Sequence, residues 1–204
     1  RTFALLTGDF LFAKVYELMA PLKDLNVELA EATVALVEGE TLQASAVKEN
    51  TLNREIYNRI IGLKTAALFK SAARMGALLA NAPQHVVDSL GHFGYNVGLA
   101  FQVVDDILDL TADSEQLGKT SGIDLEQGRG FGAVYAQEHE SEPPQADPMD
   151  ALKRKMLDRG AIEEGVHYAN AFAQMAIDAL DVVPHPDGKA ELEKLARAVV
   201  DRKF

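Results

Sequence analysis

Three carboxylates crowd a single helical turn in Phe101-Gln102-Val103-Val104-Asp105-Asp106-Ile107-Leu108-Asp109. At helical spacing Asp105 and Asp109 stand one above the other, with Asp106 beside them. Val103, Val104, Ile107 and Leu108 make the remaining surface apolar, so the helix is built for burial. Like charges this close repel unless a cation lies among them. An all-oxygen donor set suits a hard ion such as Mg²⁺, which takes one or two carboxylates with substrate phosphates and water. Spacing alone leaves a second reading open, in which these acids pair with Arg and Lys of neighbouring helices.

Two groups of bases would complete an anion site. Gly118-Lys119-Thr120-Ser121-Gly122-Ile123-Asp124 places a Lys in a glycine-rich loop, and Arg129 follows five residues after Asp124. Cations next to a carboxylate–Mg²⁺ cluster suit a diphosphate, whose charge needs metal and ammonium together. The loop is not a P-loop, because the glycines that should precede Lys119-Thr120 are absent. Lys64-Thr65 lies beside Gly62 among Leu63, Ala66, Ala67 and Leu68. A Lys in such a stretch either snorkels to solvent or turns inward to donate to phosphate. The five His show no metal-like pairing.

The elements that must position these residues are helical. Ala, Leu, Glu, Gln and Lys recur at helical spacing, and strand-type alternation is hard to find. Helices are predicted over 2–20, 24–46, 53–80, 84–112, 125–137, 149–158, 160–182 and 188–202. Pro21 and Pro83 are expected at helix starts, and Asn53 as the cap before Arg54-Glu55-Ile56-Tyr57. Gly91, Gly94 and Gly98 in the long 84–112 helix predict close helix packing. Two adjacent prolines among like charges make 138–148 an acidic surface linker, and Val183–Gly188 a second, shorter break. The fold class is all-α, a single helical domain over 1–204.

Composition narrows the function. The 204 residues carry 31 acids and 20 bases, a net charge of -11, with 48% hydrophobic residues and no Cys. Twelve of the acids and only two bases fall between Asp105 and Asp150. A nucleic-acid partner would call for a basic stripe instead. Intrinsic disorder is excluded by the apolar fraction, and no apolar run approaches the roughly 18 residues of a membrane span. Disulfides and thiolate chemistry are ruled out. No cleavable leader is visible, which with the absence of Cys points to the cytoplasm. The chain begins at Arg1 rather than Met, which leaves its natural N-terminus open.

Phe101 through Leu110 resembles the second aspartate-rich motif of the trans-isoprenyl diphosphate synthases, the polyprenyl synthetases. Gly118-Lys119 through Asp124-Leu125 is similar to the lysine loop that follows it. Gly8-Asp9-Phe10-Leu11-Phe12-Ala13, Glu38-Gly39-Glu40-Thr41-Leu42-Gln43 and Lys64-Thr65-Ala66 are similar to further family blocks, in the family's order. The ordered combination is specific where any single block is not.

The resemblance implies an all-helical bundle of the isoprenoid synthase type with a deep central substrate cavity, usually a homodimer. It implies that Asp105, Asp106 and Asp109 bind Mg²⁺ bridging an allylic diphosphate, with Asp124 as an outer contributor. Lys64, Lys119 and Arg129 would hold the diphosphate. Thr65 and Gln102 would turn oxygens toward the forming allylic cation, and Gln43 would support them. The implied reaction condenses an allylic diphosphate with isopentenyl diphosphate to give a longer trans-polyprenyl diphosphate. The released diphosphate serves as base.

The family's first aspartate-rich motif lies upstream of the Gly8-Asp9 block, where this sequence begins. The chain as given is therefore not expected to turn over alone, whether as a piece of a longer enzyme or as a degenerate subunit. Gly128-Arg129-Gly130-Phe131-Gly132-Ala133 departs from the family's Lys and the Thr-Leu-Pro-like run after it. Arg binds phosphate too, though not as Lys does. Two alternatives remain at this stage: a non-catalytic subunit of a heteromeric synthase, and a related class I terpene cyclase. Product length would be set by residues outside this sequence.

Overall fold

The computed structural model describes residues 2–23, 25–111, 129–138 and 160–201, and among them every element is helical. In chain order these are α1 (Thr2–Met19), α2 (Leu25–Glu49), α3 (Arg54–Ile61), a π-helical turn (Gly62–Ala66), α4 (Ala67–Leu79), α5 (Gln84–Thr111), α6 (Gly130–Glu138), α7 (Ala161–Asp178), a 3₁₀ turn (Ala179–Val182) and α8 (Pro186–Val200).

Local chemistry sets most of these boundaries. Asn53 takes an extended backbone, and its side chain accepts the Ile56 N–H at 2.9 Å, as a cap should. The Pro83 carbonyl accepts from Val86 and Val87 at 2.9 and 3.2 Å, which opens α5. Asn50 and Asn81 end α2 and α4 in the left-handed conformation, φ 51° and 52°. Beyond them the Thr51 and Ala82 N–H groups return to the carbonyls of Ala46 and Ala77. Pro21 does not start a helix as expected. It lies in the turn before α2, which opens only at Leu25. α8 opens two residues earlier than the periodicity suggests, because Pro186 itself occupies the first turn.

The helix expected over 53–80 is continuous but carries the π turn at Gly62–Ala66. The predicted helix 149–158, and the linker beyond Glu138, lie outside the described residues. Glu138 itself is not part of a linker. It closes α6, and an ion pair with Arg54 holds it to α3.

α5 runs through the centre, with Val97, Ala100, Val103, Val104 and Ile107 almost wholly buried. Its lower half shares a core with Tyr57, Ile60, Ile61 and Ala66 on one side and Phe131 and Val134 on the other. Its upper half packs on Ala173, Ala176, Leu180 and Ala196. The predicted close approach occurs at two of its glycines. A Cβ on Gly98 would lie 2.6 Å from Ala66 Cα, and one on Gly94 would run into the Phe69 carbonyl. α1 is the exception to this packing, since none of its residues is buried. No helix among the described residues is long and apolar enough to cross a membrane.

Candidate active site

The site begins where α3 and the π turn face α5. Tyr57, Ile60, Ile61, Lys64 and Thr65 all line a cavity of about 60 Å³, opposite Gln102 and Asp106 of α5. Gln43 of α2 and Arg129, just ahead of α6, close its other sides. α2 comes this near because residue 39 is Gly: a Cβ there would stand 2.8 Å from the Lys64 backbone nitrogen. The contact sets Gln43 and Glu40 against the Lys64 ammonium, each with an oxygen 3.0 Å from Nζ.

A chain of hydrogen bonds crosses the cavity wall. Thr65 Oγ1 donates to Gln102 Oε1 at 2.7 Å, and Gln102 Nε2 donates to Asp106 Oδ1 at 2.9 Å. On the other oxygen, Asp106 accepts the Tyr57 hydroxyl at 2.7 Å and the Phe131 N–H at 2.9 Å. Three donors from three helices thus satisfy a carboxylate that is only 5% exposed, which is how a buried charge becomes tolerable. Burial, and next the Asp106 charge, push the Tyr57 phenol well above its ordinary pKa, so it stays a donor.

The three motif aspartates therefore have different surroundings. Asp106 turns inward, Asp105 is exposed, and Asp109 is half-buried. Among the described residues no group of three His, Cys, Asp or Glu side chains could hold a metal by itself. Asp105 and Asp109 stand one helical turn apart on α5. Lys64, Thr65, Gln102, Gln43 and Arg129 come together around this one cavity. Lys119 and Asp124 lie outside the described residues.

Sequence reasoning missed Tyr57, Glu40 as the partner of Lys64, and Arg54. The signal for Tyr57 was present, because a Tyr beside Ile60 and Ile61 on a buried face needs a partner for its hydroxyl. Arg54 reaches Glu138 with Nε at 3.0 Å and Glu164 at 2.6 Å, and its guanidinium lies 5.4 Å from the ring centres of Phe131 and Tyr168. Hydrogen bonding to Glu138, opposed in part by burial and joined by Glu164, raises its pKa above the ordinary value.

The polyprenyl synthetase family model matches residues 1–169. The chain belongs to the polyprenyl synthetase family. It is 31% identical to an octaprenyl diphosphate synthase of Haemophilus influenzae, over 98% of this chain and 66% of that protein. It is 34% identical to heptaprenyl diphosphate synthase component 2 of Geobacillus stearothermophilus, over 99% of this chain and 67% of that one. A crystal structure of a polyprenyl synthase from Caulobacter crescentus, complexed with calcium and isoprenyl diphosphate, superposes with a TM-score of 0.89 at 30% identity. That superposition covers 100% of this chain and 67% of the Caulobacter chain. The chain thus spans about two thirds of the length of the relatives it matches. Its all-α architecture is that of these polyprenyl synthases.

Proposed function

We propose that the whole protein is a trans-prenyltransferase, which condenses an allylic diphosphate with isopentenyl diphosphate to give a longer trans-polyprenyl diphosphate. The observation that carries this reading is the convergence of Lys64, Thr65, Gln102, Asp106 and Arg129 on one cavity, whose α5 wall continues into Asp105 and Asp109 in the chain. The Caulobacter relative, with its calcium and isoprenyl diphosphate, supports the same substrate class.

In this reading Asp105 and Asp109, with Asp124, would hold Mg²⁺, and the charge of the buried Asp106 would add to theirs. The ion's contribution is to neutralise the oxygens of the departing diphosphate. Lys64, Lys119 and Arg129 donate to those same oxygens, so the allylic C–O bond breaks with its electron pair leaving on the diphosphate. Gln102 cannot rotate freely, because its amide nitrogen is tied to Asp106. Its carbonyl oxygen and Thr65 Oγ1 therefore stay at the cavity wall, where their lone pairs face the developing cation. Ile60, Ile61 and Leu52 keep that wall apolar and poor in water. The isopentenyl double bond then forms the new carbon–carbon bond, and the proton it loses passes to the released diphosphate.

We also read the protein as a cytoplasmic homodimer. α1 displays Phe3, Leu5, Leu6, Phe10 and Leu11 to solvent, and Val27, Val34 and Val37 of α2 are exposed too. A helix apolar on every side calls for cover, and a second copy of this chain would supply it. The name of the Geobacillus relative, a synthase component, favours one alternative: a subunit of a heteromeric synthase.

Two substitutions test the site assignment. Asp105→Asn and Lys64→Ala should each weaken Mg²⁺-supported binding of inorganic diphosphate at least about tenfold by calorimetry, on the scale of a lost charge-assisted contact. Wild-type affinity in both variants would remove the assignment.

A further inference from the structure

α6 is nine residues long, too short to be stable by itself, so its place depends on what grips it. It is gripped at its start by Asp106 of α5, which Tyr57 of α3 also holds, and at its finish by Arg54 of α3. At the start, the Phe131 N–H donates to Asp106 at 2.9 Å, on the same oxygen that takes the Tyr57 hydroxyl at 2.7 Å. At the finish, Glu138 takes the Arg54 guanidinium, which also reaches Glu164 of α7. Between them the Phe131 ring is fully buried, edge-on to Tyr57 with centroids 6.1 Å apart, and Arg54 lies across its face.

Arg54 and Tyr57 are three residues apart and so share one face of α3. At the first residue of α6, Gly130 sits at φ 72°, a reversal that suits glycine, and Arg129, immediately before it, borders the cavity. Any shift of α6 therefore carries Arg129 with it.

We propose that α3 and Asp106 of α5 together seat α6, and that Tyr57 and Arg54 of α3 are positioning residues that hold Arg129 at the cavity through Asp106 and Glu138. Asp106 belongs to this seat, where its two oxygens serve three donors. The role of Arg129 rests on the diphosphate reading above; the seat does not.

Hydrogen exchange of the 130–138 amides in the Tyr57→Phe variant tests the seat, because local opening is read directly there. Losing a donor to a buried carboxylate should speed exchange across 130–138 about tenfold, while the α4 amides stay at wild-type rates. Inorganic diphosphate with Mg²⁺ should then bind as weakly as it does to Arg129→Gln. Arg54→Lys keeps the charge but loses the fork, and should show the same pattern in a milder form.

Unchanged exchange over 130–138 in both α3 variants overturns the seat. Faster exchange with wild-type diphosphate affinity, alongside a weakened Arg129→Gln, overturns the link to Arg129. Should Arg129→Gln bind diphosphate as wild type does, its role in the proposed function fails, and the seat stands or falls on exchange alone.

Discussion

Replacing Gly98 with Ala asks how closely α5 must approach the segment that carries Thr65. The added Cβ would stand 2.6 Å from Ala66 Cα and 3.1 Å from the Cβ atoms of Ala66 and Phe69. Carbon atoms settle about 3.5–4.0 Å apart, so the two helices would have to separate by roughly 1 Å. Overpacking of this kind costs about 1–3 kcal/mol, and the better helix propensity of Ala returns about 1 kcal/mol. The obstructing atom is backbone, which cannot swing aside, so a net loss of about 1–2 kcal/mol is expected. Gly76 in α4 is the matched control, because a Cβ there meets nothing within 4 Å. Gly76→Ala should therefore stabilise by about 0.5–1 kcal/mol through propensity and the unfolded state. The variants should differ by about 1.5–3 kcal/mol in urea unfolding, or roughly 3–12 °C in Tm for a chain of this size. A response of the same sign at both positions would refute the close contact at Gly98.

Two further outcomes follow from single contacts. Asn53→Ala removes the cap of α3 and should cost about 1 kcal/mol in chemical denaturation, with Asn53→Asp largely restoring it. Asp88 has its pKa lowered from the ordinary 3.8, first by its hydrogen bond to Arg74 and then by Gln84. Its contribution is present above pH 3.8 and is lost as pH falls through the depressed value. The Tm difference between wild type and Asp88→Asn should accordingly close as the pH falls below 3.8 and through the depressed value, and a gap that widened toward acid would contradict the assigned pair.

What could be read from the sequence was local. The Asn53 cap and the helical period near Asp105 each depend on residues within a turn or two, and each appears where expected. The π turn was not legible, because its surroundings come from Gly39 of α2 and Tyr95 of α5, far along the chain. The differing roles of the three aspartates escaped for the same reason. Spacing makes Asp106 a neighbour of Asp105, Asp109 and its donor Gln102, but its other two donors sit 49 residues before it, in Tyr57, and 25 after it, in Phe131. Glu138 read as the first residue of a charged linker only because its partner, Arg54, lies 84 residues away.

The central claim is that this cavity takes an allylic diphosphate by means of a divalent cation. Calorimetric titration of the chain with dimethylallyl diphosphate, once with Mg²⁺ and once with a chelator, tests it most directly. Saturable binding that requires Mg²⁺ and disappears with Asp105→Asn is the expected result. Equal affinity with and without the metal, or no binding in either case, would contradict it.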